Sequence, residues 1–182
     1  MKQKDYKIEI VLELLKESSH IREIAKKLKT NPMTISRKIN ELTKENVMDY
    51  REEGKNKKFF LKKTIEAQNY AIIAEIYKLN NLLEKYPHLR EIIEKIQKDN
   101  RIKFAILFGS YAKGIPKEES DIDIYIETSN IQFKKDLGLL NTRLSIKIGK
   151  YNKDNLLIKE IEKNHVIIKG VETYYEKNKI LD

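Results

Sequence analysis

Two aspartates in the stretch ESDIDIYI, Asp121 and Asp123, stand at alternate positions of a run otherwise built from isoleucine and tyrosine. Alternate side chains of a strand share a face, so Ile122, Ile124 and Ile126 are expected in a core while Asp121, Asp123 and Tyr125 share the other side. Two carboxylates so placed repel each other unless a cation lies between them. Hard oxygen ligands in this arrangement suit Mg²⁺ held jointly by protein and substrate phosphates. With a second ion nearby, such a site can activate an attacking hydroxyl and stabilise a leaving pyrophosphate. Upstream, the apolar run KFAILF reads as a strand that ends at Gly109 and Ser110. Glycine lets the backbone approach a ligand closely, and Ser110 adds a hydroxyl and an N–H, which suit phosphate oxygens. Taken alone, Gly-Ser is equally a common turn. A Walker A loop is excluded, because Gly114 is followed by Ile115 and Pro116 rather than by Lys-Ser/Thr.

The surrounding elements must hold these groups. Pro87 breaks a preceding helix, and HLREIIEKIQKD starts another with Leu89, Ile92, Ile93 and Ile96 buried. After the aspartates, FKKDLGLL reads as a helix, RLSIKIGKY as a strand, KDNLLIKEIEKN as a helix, and HVIIKGVETYYE as a closing strand and turn. In LSIKIGKY the apolar set is Leu144, Ile146 and Ile148, so Ser145, Lys147 and Gly149 face the aspartate pair.

Gly-Ser, ten intervening residues, then Asp-x-Asp resembles the signature of the polymerase-β-type nucleotidyltransferase superfamily, and most of all its minimal bacterial and archaeal members. GSYAKG is similar to their Gly-Ser-x-Ala-x-Gly opening and ESDIDIYI to their Ser-Asp-x-Asp strand; the resemblance covers about residues 88–176. It implies nucleoside monophosphate transfer from an NTP, most simply ATP, to a protein or nucleic-acid hydroxyl. In that scheme Gly109, Ser110, Lys113 and Ser120 hold the nucleotide, while Asp121 and Asp123 are catalytic and bind Mg²⁺. Minimal members often pair with a small helical toxin, which implies an antitoxin-like role with such a partner.

Active members also bring a third carboxylate from the strand after the next helix. Here that strand is LSIKIGKY, and none of its facing residues is acidic; Lys147 is expected where the family has its aspartate. Three alternatives follow. Another acid, Asp136 or Asp154, serves; or the domain binds nucleotide without transferring it, with Lys147 supplying positive charge; or the strand lies elsewhere.

Composition sets the wider frame. The chain has 182 residues, 40% of them apolar and 36% charged, with no cysteine and three scattered histidines. Disulfides and thiolate zinc sites are excluded, and any metal must have oxygen ligands. No apolar run long enough for a membrane span is present, and charges interrupt the N-terminal apolar stretch, so a cytoplasmic location is expected. Residues 1–63 hold 17 Lys+Arg against 10 Asp+Glu, whereas residues 101–182 hold 15 against 12. The basic excess is at the N-terminus, as contact with a polyanion requires.

Residues 5–17 read as an amphipathic helix with Ile8, Val11, Leu12 and Leu15 on one stripe. Ser18 and Ser19 offer a cap for a second helix, HIREIAKKL, and Thr30 or Asn31 a cap for a third that opens at Pro32 and buries Ile35, Ile39 and Leu42. The third helix exposes Thr34, Ser36, Arg37, Lys38 and Asn40. VMDYREEGKNKKFFL then reads as two short strands around the turn EEGKNKK. Helix-turn-helix followed by a hairpin with lysines at its tip resembles winged-helix DNA-binding domains. The resemblance implies that Thr34, Ser36, Arg37 and Lys38 approach the major groove of double-stranded DNA and that Lys55 and Lys57 contact phosphate or minor groove.

Between the two regions, Ile65, Asn69, Ile72, Ile76, Leu79 and Leu83 fall at heptad spacing, a seam suited to a homodimer or to packing on its own domain. The expected class is therefore α+β: a winged helix over 1–63, a connecting helix over 64–87 and a mixed-sheet nucleotidyltransferase fold over 88–182. Two functions remain open: a DNA-binding nucleotidyltransferase, or a non-enzymatic transcriptional regulator whose second domain binds nucleotide or a protein.

Overall fold

The computed structural model describes residues 4–128, 135 and 137–179. The chain divides into two compact units, one running to Tyr77 and one covering Lys78–Asn178.

In the first unit, α1 (Tyr6–Lys16) begins where the Asp5 carboxylate accepts from the N–H groups of Lys7 and Ile8, at 3.0 and 3.4 Å. Those donors would otherwise be left open in the first turn. Strand β1 (Ser19–His20) leads into α2 (Ile21–Leu28), and α3 (Pro32–Lys44) follows. Asn31 caps α3 by accepting from the Met33 N–H at 2.7 Å, and Pro32 occupies a position that needs no N–H partner. Strands β2 (Met48–Glu53) and β3 (Asn56–Leu61) form an antiparallel hairpin, and β1 pairs with the other edge of β3. Gly54, with φ of 61°, takes the first central position of the two-residue turn, as a type II′ turn requires. Ile24, Ile35, Ile39, Leu42, Val47 and Met48 are buried beneath this sheet and the helices. Three helices with a β-ribbon wing make a winged helix.

Several local expectations are corrected. Helix α1 packs on α3 and β3 together, so its buried face is broader than one stripe: Ile10 and Leu14 are buried with Ile8 and Val11, while Leu12 and Leu15 lie at the margin. His20, not a serine, is the N-cap of α2; Ser19 belongs to β1, and its hydroxyl donates to Glu23 Oε2 at 2.9 Å. The hairpin turn contracts to Gly54 and Lys55, because Glu52, Glu53, Asn56 and Lys57 join the ladder. In α4 (Ile65–Lys85) the alanines Ala67, Ala71 and Ala74 turn inward, whereas Ile65 is 74% and Ile76 49% exposed. The heptad seam is thus largely outward over the first unit, and only its end, Leu79 and Leu83, meets the core of the second.

That second core surrounds a sheet in the order β6-β5-β4-β7. Central strand β4 (Phe104–Phe108) is buried throughout; β5 (Ile122–Glu127) and β7 (Val166–Lys169) run antiparallel to it, and β6 (Leu144–Ile148) lies parallel to β5. A single 3₁₀ turn, Pro87–Leu89, precedes α5 (Arg90–Lys98), whose Ile92, Ile93 and Ile96 are buried as expected. Short α6 (Gly109–Lys113) follows β4, and Asn155 caps α7 (Leu156–Lys163). Where a closing turn was expected, α8 (Val171–Asn178) forms and stacks Tyr174 on Phe104, centroids 6.1 Å apart. Of the helix expected over residues 133–140, positions 135, 137 and 138 are helical and 139–140 form a turn, while 133, 134 and Asp136 lie outside the described residues.

His165 lies under α8, its ring centroid 4.8 Å from that of Tyr174 and its Nδ1 3.1 Å from the Ile161 carbonyl. Its Nε2 is buried with no hydrogen-bond partner. Burial above all, with the Lys78 charge, holds its pKa down from 6.5 to about 3. The unfolded chain therefore takes up this proton first, and stability present above pH 6.5 is lost as pH falls toward 3. Urea unfolding is expected to show a loss of about 2 kcal/mol between neutral pH and about pH 5, a slope that His165→Phe removes.

Candidate nucleotide site and nucleic-acid face

The site is built where β4 ends. Pairing of Phe108 with Asp123 sets the chain's exit from β4 against the Asp123 carboxylate, and Gly109 leaves with φ of 71°. A Cβ at Gly109 would overlap Asp123 Oδ2, so the glycine is required twice, by conformation and by space. Helix α6 is braced from behind: Lys85 Nζ donates to the Gly114 carbonyl at 2.9 Å, and the Tyr111 hydroxyl lies 3.2 Å from His88 Nε2. The loop before β5 is closed by Ser120 Oγ, which accepts from the Lys117 N–H at 2.8 Å, and Arg143 donates to the Glu118 carbonyl at 2.5 Å. That loop delivers Asp121 exposed beside half-buried Asp123.

Strand register decides what faces the pair. Parallel β5 and β6 align Asp123 with Ser145 and Tyr125 with Lys147. The residue beside Asp123 is therefore Ser145, and Lys147 stands one pair farther along, so the position expected for Lys147 is occupied by a hydroxyl. Burial foremost raises the Asp123 pKa above the ordinary carboxylate range; a hydrogen bond from Ser145 lowers it, the Asp121 charge raises it, and Lys147 lowers it. Tyr125 shares the face but is buried, donating to the Gly149 carbonyl at 2.8 Å, and its pKa is pushed up to about 12 by burial and then by Glu127. Lys113 Nζ is held 3.2 Å from Glu160 of α7. Asp154 lies in the loop before α7 rather than on β6. Among the described residues no group of three or more acidic, histidine or cysteine side chains could hold a metal ion. Two oxygen ligands nonetheless fit a hard divalent cation whose remaining ligands are phosphate and water, because a cation would relieve the repulsion between the two carboxylates.

Residues 90–173 match the family model described as Polymerase beta, Nucleotidyltransferase. The second unit carries a polymerase-beta nucleotidyltransferase domain. Within that nucleotidyltransferase domain, the match spans α5 through the start of α8 and includes Gly109, Ser110, Asp121 and Asp123. No curated protein matches the sequence. Among solved structures, the chain is similar to the transcriptional repressor BigR from Xylella fastidiosa, at 16% identity over 41% of this chain and 74% of that one, with a TM-score of 0.38. It is also similar to the adhesin competence repressor AdcR from Streptococcus pyogenes, at 20% identity over 52% and 76%, with a TM-score of 0.36. No described helix is long and apolar enough to cross a membrane.

The winged helix presents a second face. On α3, Arg37 is exposed, Thr34 and Ser36 are half-buried, and Lys38 Nζ is drawn 2.9 Å from Glu41. Lys55 is exposed at the wing tip, and Lys57 Nζ lies 3.9 Å over the Tyr50 ring. A cleft of about 610 Å³ opens between wing and helices, lined by His20, Arg22, Met33, Ser36, Lys55 and Lys57 among others. The structure thus gathers Ser36, Lys55 and Lys57, leaves Thr34, Arg37 and Lys38 off this lining, and adds Arg22 and Met33. Met33, 75% exposed just inside the N-terminus of α3, was legible as an apolar residue off the buried stripe.

Proposed function

We propose that this chain is a DNA-binding regulator whose nucleotidyltransferase domain binds a nucleoside triphosphate, ATP in the simplest case, with Mg²⁺ and does not transfer it. The observation that carries the reading is Ser145 in register beside Asp123, where the family resemblance calls for a third carboxylate. Asp121 and Asp123 would hold the ion, which would supply positive charge against the phosphates. Gly109 gives the phosphates room, Ser110 offers an N–H and a hydroxyl, and Lys147 adds positive charge to the same face. A serine hydroxyl is neutral at any working pH and is a poor proton acceptor, so it cannot help strip a proton from an attacking hydroxyl as a carboxylate does. The intact aspartate pair supports a second reading, transfer of a nucleoside monophosphate to a protein or nucleic-acid hydroxyl.

Incubation with labelled ATP and Mg²⁺ separates the two. Binding that weakens in Asp123→Ala, with no label made covalent on protein or nucleic acid, is expected. Label incorporated by the native chain and lost in both Asp121→Ala and Asp123→Ala would establish transfer instead. Replacing Ser145 by Asp supplies the missing carboxylate, and label incorporation is expected to appear in that variant. For the first unit, the cleft and its cationic border support contact with double-stranded DNA. Ile65, Ile73 and Ile76, exposed on α4, support pairing of two copies, the symmetry by which two winged helices meet two half-sites.

A further inference from the structure

His20 stands where β1 hands over to α2, and its ring reaches the hairpin at both strands. Nδ1 lies 3.0 Å from the Lys57 carbonyl oxygen of β3, and Nε2 lies 3.1 Å from Glu53 Oε2 of β2. Both partners are acceptors only. A neutral imidazole carries one N–H and one lone pair, so it satisfies one of these oxygens and turns its lone pair on the other. Only the imidazolium donates to both.

We propose that His20 is the positioning residue for the wing, holding the hairpin against the start of α2 when protonated and releasing one of its two ties when neutral. The neighbouring charges fit this role. Glu23 of α2 accepts from the His20 N–H at 3.4 Å, and its carboxylate favours a positive ring. Glu53 is shared, since Lys58 Nζ of β3 also lies 3.4 Å from its Oε2. That second pair keeps β2 and β3 together when the imidazole loses its proton, so the hairpin persists while its tie to α2 slackens. Arg22, Lys55 and Lys57 border the same cleft, and their repulsion of a positive ring is set against Glu23 and Glu53. The clamp is therefore complete with the ring protonated and weaker with it neutral. Lys55, at the wing tip, and Lys57 move with the hairpin. For DNA affinity, but not for the clamp itself, the inference rests on the wing touching DNA.

The test uses the full chain, native and His20→Gln, at constant ionic strength near pH 5.5 and pH 8. Without DNA, hydrogen exchange of the amides of residues 52–58 is measured and corrected for intrinsic rates. With a random-sequence duplex of about 30 base pairs, affinity is measured by fluorescence anisotropy. In the native chain, wing protection and DNA affinity are both expected to fall about 3- to 10-fold from the lower to the higher pH, the scale of one hydrogen bond. Glutamine donates independently of pH, so the variant is expected to be flat in both. Glu53→Gln, which removes the carboxylate acceptor, gives a second variant expected to flatten the profile. Native wing protection that follows His20→Gln at both pH values overturns the proposal. Protection that shifts only in the native chain, with DNA affinity unmoved, upholds the clamp and removes the wing from the DNA interface.

Discussion

Gly109→Ala is expected to lower Mg²⁺-dependent ATP binding by on the order of 100-fold while the second unit remains folded. The cause is local. At φ of 71° an L-residue with a Cβ meets its own carbonyl, which costs about 1–2 kcal/mol. The larger consequence follows from the built position of that Cβ, which overlaps the Asp123 carboxylate. Asp123 is short and half-buried, bonded to Ser145, and paired through its backbone with Phe108, so it escapes only by rotating its carboxylate out of its present position. A site that depends on two carboxylates converging then keeps one. Gly138→Ala supplies the control, since nothing lies within 4 Å of a Cβ there and its φ is ordinary. Calorimetry on both variants, with unfolding midpoints alongside, checks the prediction. Equal binding by Gly109→Ala and native protein would mean that Asp123 does not hold the ligand.

Much of this site was legible because its parts are local. A buried strand that stops at glycine, and a strand whose acids alternate with isoleucines, need only the two-residue period of a strand to be recognised. Pro32 after Asn31 announced α3 in the same way, through the first-turn donors it has to satisfy. What escaped was set by long-range pairing. Ser145 and Lys147 both face the aspartates by alternation, and only the register of parallel β5 on β6 says which of them adjoins Asp123. Alternation is blind to a shift of two residues, and no tight turn fixes a parallel pair. His20 read only as the opening residue of the second helix because its partners, Glu53 and Lys57, are 33 and 37 residues away. Helix α4 misled for a different reason. Its inward residues over the first unit include three alanines, which carry little hydrophobic signal, while the bulkier seam residues Ile65 and Ile76 point outward and dominate the pattern.

Binding of the full chain to duplex DNA is expected to fall about 100-fold between 50 and 200 mM salt, and this steepness follows from the cations the first unit leaves available. Arg22, Lys55 and Lys57 line the cleft, and Arg37 is exposed on α3. Lys38 is engaged by Glu41, and Lys58 is drawn to Glu53, so neither enters at full strength. Four phosphate contacts give a slope near −3.6 in log affinity against log salt, from about 0.9 counterion released per contact. Lys57 over Tyr50 is partly satisfied by the ring, but a cation–π contact of about 0.5–1 kcal/mol at an exposed site does not outweigh a phosphate. Lys55→Ala is expected to reduce the slope by about 1 without changing sequence preference, whereas Met33→Ala, which removes an apolar side chain at the start of α3, is expected to leave the slope alone. Titrations in a salt series discriminate these outcomes directly. A slope near zero for the native chain would make the basic cleft a solvated surface or a protein-docking face, and would leave nucleotide binding by the second unit untouched.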